Sequence, residues 1–214
     1  MRRFLIPAIT LFVLGGCALP PEELRDPYPA PNNVVTGLAQ IWEDMDSDTY
    51  IQRVLYDSDE ISSDGAAYDA FEYIFSEPVD GHGSSWSLGN EIAAAMAIMN
   101  GEGSDSGMPG VESIDLSFLG EDDWEAPEGN EVEGDVFPDG TLMRQYQTDM
   151  TINLKGNIEG SEVNFLEIDD SLIFYVIPVD GIDGQGYRLW KWLDLDSGLL
   201  PTEDTTWTDF KTAW

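Results

Sequence analysis

Few residues of this chain have the type and spacing that chemistry needs. His82 is the one histidine in 214 residues, and the glycines around it in Asp80-Gly81-His82-Gly83 place it in an exposed loop, away from an orienting carboxylate. One imidazole and one thiol, Cys17, exclude a site built on two histidines and exclude an internal disulfide. Asp44-x-Asp46-x-Asp48 begins like a calcium loop. However, Thr49 stands sixth, where glycine makes the turn, and Leu55 twelfth, where glutamate closes the site. The segment Asp180-Gly-Ile-Asp183-Gly-Gln-Gly186 reads as a hairpin turn, so no metal ligands and no cofactor are assigned. Arg144 and Thr148 share a strand face with Tyr146 and Met150. A buried arginine there could grip a ligand carboxylate with both arms, although pairing with neighbouring acids at a sheet edge is the plainer expectation. There is no Gly-x-Ser-x-Gly, no phosphate-cradling glycine loop and no Cys-x-x-Cys.

Cys17 has a more definite context. Arg2 and Arg3 precede an apolar run over 4–14 that is too short to span a bilayer and is interrupted by Pro7, which makes a secretory leader. Leu14-Gly15-Gly16-Cys17 resembles the bacterial lipoprotein lipobox, in which lipid is attached to the sulfur and the chain is cut before the cysteine; the alternative is a plain leader with an incidental cysteine. A diacylglycerol on the sulfur and an acyl chain such as palmitate on the amine bury many methylenes at about 0.8 kcal/mol each, so anchoring by several chains is effectively permanent. Ala18, where an aspartate would retain the protein inside, implies passage to the outer membrane in the resemblance to proteobacterial lipoproteins. Prolines at 20, 21, 27, 29 and 31 then make a stiff tether reaching up to roughly 45–50 Å. The expected organisation is a leader over 1–16, a lipidated cysteine and tether over 17–32, a domain over 33–198 and a C-terminal extension with a short helix over 199–214.

Forty-two acids stand against nine bases, a formal charge of −33. That sign excludes binding nucleic acid by phosphate neutralisation. It favours solubility at the expense of self-repulsion, which salt relieves as the Debye length falls from ~10 Å at 0.1 M to ~3 Å at 1 M. A halophilic-like surface in a salty habitat is the simplest reading.

Periodicity supplies the elements that must carry any site. Asn33 is positioned to cap a helix with Val34, Leu38, Ile41, Trp42 and Met45 on one face, and a second short helix follows the Asp-x-Asp turn. Phe71, Tyr73 and Phe75 alternate as a strand ending at Pro78; 81–85 reads as a loop, and Ser87 caps a third helix with Ile92, Ala95, Met96 and Met99 on one face. Alternation returns around Ile114, Leu116 and Phe118, and again over 142–154, on either side of an acidic loop at 120–140. The segments 163–179 and 187–195 are apolar on both faces, which requires cover on both sides, by helices on one and by loops or a partner on the other. Helices first, then a strand, a helix and four antiparallel strands make an α+β domain.

A two-part N-terminal helix broken by Asp-x-Asp, a helix led by Trp86, a last strand reading Tyr187-Arg-Leu-Trp-Lys-Trp-Leu-Asp194 and a closing Thr206-Trp207-Thr-Asp-Phe-Lys211 together resemble the nuclear transport factor 2-like superfamily, and more closely its lipid-anchored bacterial members. The resemblance covers roughly 33–214. It implies a cone: a curved antiparallel sheet wrapped around about three helices, with a mouth for a small apolar ligand and an outer face that often makes homodimers. Tyr73, Trp86, Arg144, Tyr146 and Tyr175 are the expected pocket residues. Enzymes on this cone place a carboxylate or histidine as general base beside a tyrosine or acid donor. The expected role is a lipid-anchored envelope protein that binds a small apolar ligand or an envelope partner without catalysis. The alternatives are an isomerase- or dehydratase-like enzyme with a raised-pKa carboxylate beside a donor, and a structural subunit dimerising through the sheet.

Overall fold

The computed structural model describes residues 26–60, 62–79, 81, 83–104, 107–120, 123–182, 184–195 and 206–214. The leader, Leu14, Gly15, Gly16, Cys17 and His82 lie outside the described residues.

Helix α1 (Pro31–Asp44) starts two residues before the expected Asn33 cap, because Pro31 has the fixed φ of a first helical position. Its apolar stripe buries Val34, Val35, Leu38, Ile41 and Trp42. Met45 ends it in the left-handed conformation, and Asp46 opens the next turn, its carboxylate accepting the Thr49 backbone N–H at 3.0 Å. The Asp-x-Asp segment is thus a helix cap. The short helix that follows is a single turn, α2 (Ser47–Thr49), running into a π-helical turn (Tyr50–Val54) that buries Tyr50 and Val54.

Eight strands follow: β1 (Glu72–Val79), β2 (Gly83–Ser87), β3 (Val111–Leu119), β4 (Glu131–Val132), β5 (Asp135–Val136), β6 (Leu142–Leu154), β7 (Phe165–Gly181) and β8 (Gly184–Leu195). Six of them form one curved sheet in the order β2-β1-β8-β7-β6-β3, while β4 and β5 form a small hairpin inside the acidic insertion. The expected 81–85 loop is largely β2, paired antiparallel to β1. The main sheet is not wholly antiparallel, since β1 lies parallel to β8 with Tyr73 opposite Trp192. Helix α3 (Leu88–Met99) buries Glu91, Ala94, Ala95, Ile98 and Met99; of the expected stripe Ala95 and Met99 are buried, Ile92 is half-buried and Met96 is exposed. Too many of its positions are apolar for period alone to choose a face.

Alternation in β6 and β7 aims Tyr146, Thr148, Met150, Ile168, Asp170, Leu172 and Phe174 at the helices. In β8 the alternation breaks. Tyr175 stands opposite Lys191 but Val176 stands opposite Leu189, so a bulge at Trp190–Lys191 places both of those side chains on the outer face. Past it, Trp192 and Asp194 point inward, with Trp192 in the main core.

The first and the last described segments both pack on the domain. The supposed end of the tether is docked: Tyr28 and Tyr187 exchange backbone hydrogen bonds at 3.2 and 2.7 Å, and the Tyr28 ring lies so close over Gly37 that a Cβ there would sit 2.3 Å from its hydroxyl. Helix α4 (Trp207–Thr212) is not an appendage either, for Trp207, Phe210 and Lys211 are all sealed from solvent. The outer face of β7 and β8 is covered by Tyr56 and Tyr68 from the segment between the π-helical turn and β1, and by Val132 and Phe137 from the acidic insertion, the loop cover that two-sided strands require. No helix among the described residues is long and apolar enough to cross a membrane.

Candidate functional site

The concave side of the sheet holds two charged clusters that α4 brings into the core. In the first, Lys211 donates to both carboxylate oxygens of Glu91, at 2.8 and 2.9 Å. The Tyr50 hydroxyl donates to Glu91 Oε1 at 2.6 Å. The ammonium lies 4.1 Å from the ring centre of Trp192 and 4.2 Å from that of Tyr73, with Trp207 and Trp42 at 5.3 and 5.9 Å. A cation over an electron-rich ring face is attracted by the ring quadrupole, more strongly when water is excluded. Burial lowers the Lys211 pKa while Glu91 opposes that shift, and burial, reinforced by Glu91, pushes the Tyr50 hydroxyl well up. Two short contacts from one nitrogen to both oxygens of one carboxyl give the pair the geometry of a charge-assisted clasp.

The second cluster is acidic. Asp170 on β7 and Asp194 on β8 face each other at the floor of a cleft of about 300 Å³ lined also by Ser76, Glu77, Thr206 and Thr208. Thr208 donates to Asp194 Oδ2. Asp170 Oδ2, Asp194 Oδ1 and the hydroxyl of Thr148 are sealed, with the Tyr73 hydroxyl beside Asp194 and the Trp207 backbone beside Asp170. Burial, and then the neighbouring Asp194 charge, push Asp170 up to about 7. Asp170 therefore holds its proton more tightly than an ordinary aspartate, as expected when a carboxyl is held beside a like charge out of water.

The expected pocket residues part company. Tyr73, Trp86 and Tyr146 are buried on the inner side, Tyr73 against Lys211 and Trp86 edge-on to Phe75. Tyr146 packs on Phe174 and Phe118. Among the described residues, Arg144 donates to the Asn32 side chain at 3.1 Å and the Gly120 carbonyl at 2.6 Å, and lies 4.8 Å over the Tyr146 ring. Tyr175 is misassigned. Its odd position in β7 puts it on the outer face, stacked on Phe137. Glu91, Lys211, Asp170 and Asp194 were missed. Asp170 interrupts the inward run Leu166, Ile168, Leu172, a signal in the alternation itself, whereas the bulge hides Asp194 and nothing local marks Glu91.

A curved sheet whose concave side encloses α1, the π-helical turn and α3 makes an α+β cone, here with a fourth helix inside it. No family model matches the chain, and no curated protein matches its sequence. Solved structures similar to it include a protein from Kribbella flavida (12% identity, TM-score 0.45, covering 78% of this chain and 87% of that one). A candidate dehydratase of the nuclear transport factor 2-like family from Streptomyces avermitilis is similar at 12% identity and TM-score 0.42, covering 78% and 94%. A candidate aromatic ring hydroxylase from Novosphingobium aromaticivorans is similar at 8% identity and TM-score 0.43, covering 78% and 85%. All three are distant likenesses.

Proposed function

We propose that this is a lipid-anchored binding protein of the bacterial cell envelope, non-catalytic, whose cone interior is the binding site and whose own α4 fills that site in the closed form. The observation that carries the reading is that interior polar groups find their partners on α4: Glu91 meets Lys211, and Asp194, at the floor of its cleft, meets Thr208. A catalytic carboxyl must reach a substrate atom, and the free oxygens of Asp170 and Asp194 are sealed from solvent. A helix of only six residues is a natural element to open locally and exchange for a ligand.

The enzyme reading keeps one specific support. Asp170, raised to about 7 beside Asp194, would supply an acid and a base together once α4 moved aside. Dimerisation through the sheet has less. Asp149 stands directly opposite Asp169 on the outer face of β6 and β7, so a second copy docked there would set like charges against each other.

Hydrogen–deuterium exchange tests the binding reading without a ligand. Amides of α4 should exchange orders of magnitude faster than those of β7, by local opening. Equal protection of the two, with release only on global unfolding, would remove the reading. The anchor has its own test: Cys17→Ser should free the protein from the membrane fraction or leave the leader uncut, and unchanged retention would refute lipidation.

A further inference from the structure

We infer that the cone interior is a receptor site for an organic ammonium ion, and that Lys211 occupies it as a tethered stand-in for that ligand; the inference rests on the binding reading above. The walls of the site stay with the body of the protein when α4 is set aside: the Glu91 carboxylate from α3, held in place by the Tyr50 hydroxyl, and the rings of Tyr73, Trp192 and Trp42. A carboxylate backed by aromatic faces is the arrangement that recognises an alkylated or primary ammonium, since the rings attract the charge and cover its apolar substituents at once.

Three further observations support this occupant. Stability alone does not call for the arrangement, because a buried ion pair is usually matched or bettered by apolar side chains of the same volume. The chain also has only three lysines against 42 acids, so cations are scarce, yet one of the three is spent in the interior. Finally, the strongly negative body concentrates cations around the domain and repels anions, which matches the sign of the proposed ligand. The indole N–H of Trp192 has no acceptor among the described residues, so the same ring could also bind an acceptor atom carried beside the charge.

The test uses n-propylammonium, which matches the part of the lysine side chain beyond Cβ, titrated into the full chain and followed by tryptophan fluorescence, with n-propanol and sodium as controls. The intact protein should bind the ammonium saturably, with faster exchange of the α4 amides as it binds. Lys211→Ala should bind it at least ~10-fold more tightly, because the internal competitor is gone. The double variant Glu91→Gln, Lys211→Met, which keeps the volume filled and leaves no stranded charge, should lose the binding. Should Lys211→Ala not fold, the intact protein and the double variant still decide. No saturable binding to the intact protein, or equal binding of propanol, overturns the proposal. An α4 that opens yet admits no ammonium removes this ligand class and spares the binding reading; an α4 that never opens removes both.

Discussion

Lys191 and Lys211 are each 1% exposed, and they sit on opposite faces of one sheet. Lys191 lies outside, under the insertions, paired with Glu72 at 2.6 Å and with Asp135. Those two partners are 27% and 32% exposed, whereas Glu91, the ion-pair partner of Lys211 among the described residues, is 0% exposed. Outside, water reaches the carboxylates and can replace one that is lost. Inside, water cannot take the place of Glu91. Equal burial of two lysines therefore conceals unequal dependence on their acids, and that inequality separates a braced surface from a site built around one charge.

The sharpest way to break the comparison is Glu91→Ala. It strands an ammonium in the core, and the expected cost is about 3–5 kcal/mol, a large part of the whole stability of a domain. Urea unfolding of the variant should show the midpoint collapse, or no folded baseline at all. A loss under ~1 kcal/mol would mean that water already enters the cone. Tyr50→Phe comes next. It keeps the ring against Trp42 but removes the donor to Glu91, for an expected loss of about 1.5–3 kcal/mol by the same measurement.

Much of the scaffold for these charges was legible. The alternation over 142–154 and the two-sided strands at the end of the chain gave β6, β7 and β8, because a half-buried sheet enforces period two. The site was legible only where that period held. Asp170 sits on an inward position, but the bulge at Trp190–Lys191 reverses parity, and from there alternation misplaces Trp192 and Asp194. Glu91 lies on an apolar helix whose buried face was set by a lysine 120 residues away, a contact that no window along the chain contains. Tyr175 failed for the opposite reason: its residue type suggested a pocket, while its parity assigned it to the far side.

The acid pair sharpens the comparison through pH. An aspartate titrates near 3.9 in the unfolded chain, and Asp170 is pushed up to about 7 in the fold. Below about pH 4 both states hold the proton. Between about 4 and 7 only the folded state does, so this group makes stability fall as pH rises across that window, and adds no further change above it. With water at the cleft mouth screening the pair, the loss should be on the order of 1–2 kcal/mol. Asp170→Asn should flatten that part of the profile relative to the unchanged protein, with the general effect of the acidic surface cancelling in the difference. Parallel profiles for the two proteins would show that Asp170 does not hold its proton across that window.

The smallest effect is expected outside. Glu72→Gln removes one charge beside Lys191 while keeping the shape of the side chain, and Asp135 stays in place to hold the ammonium. A quarter-exposed carboxylate in a pair that water can enter contributes little, so the cost should lie within about 0–1 kcal/mol and shrink further as salt is raised. A loss close to that of Glu91→Ala would show that the insertions seal the outer lysine as tightly as the cone seals the inner one. The outer face would then have an equal claim to be a charge-built site, and the cone would lose the property that singles it out.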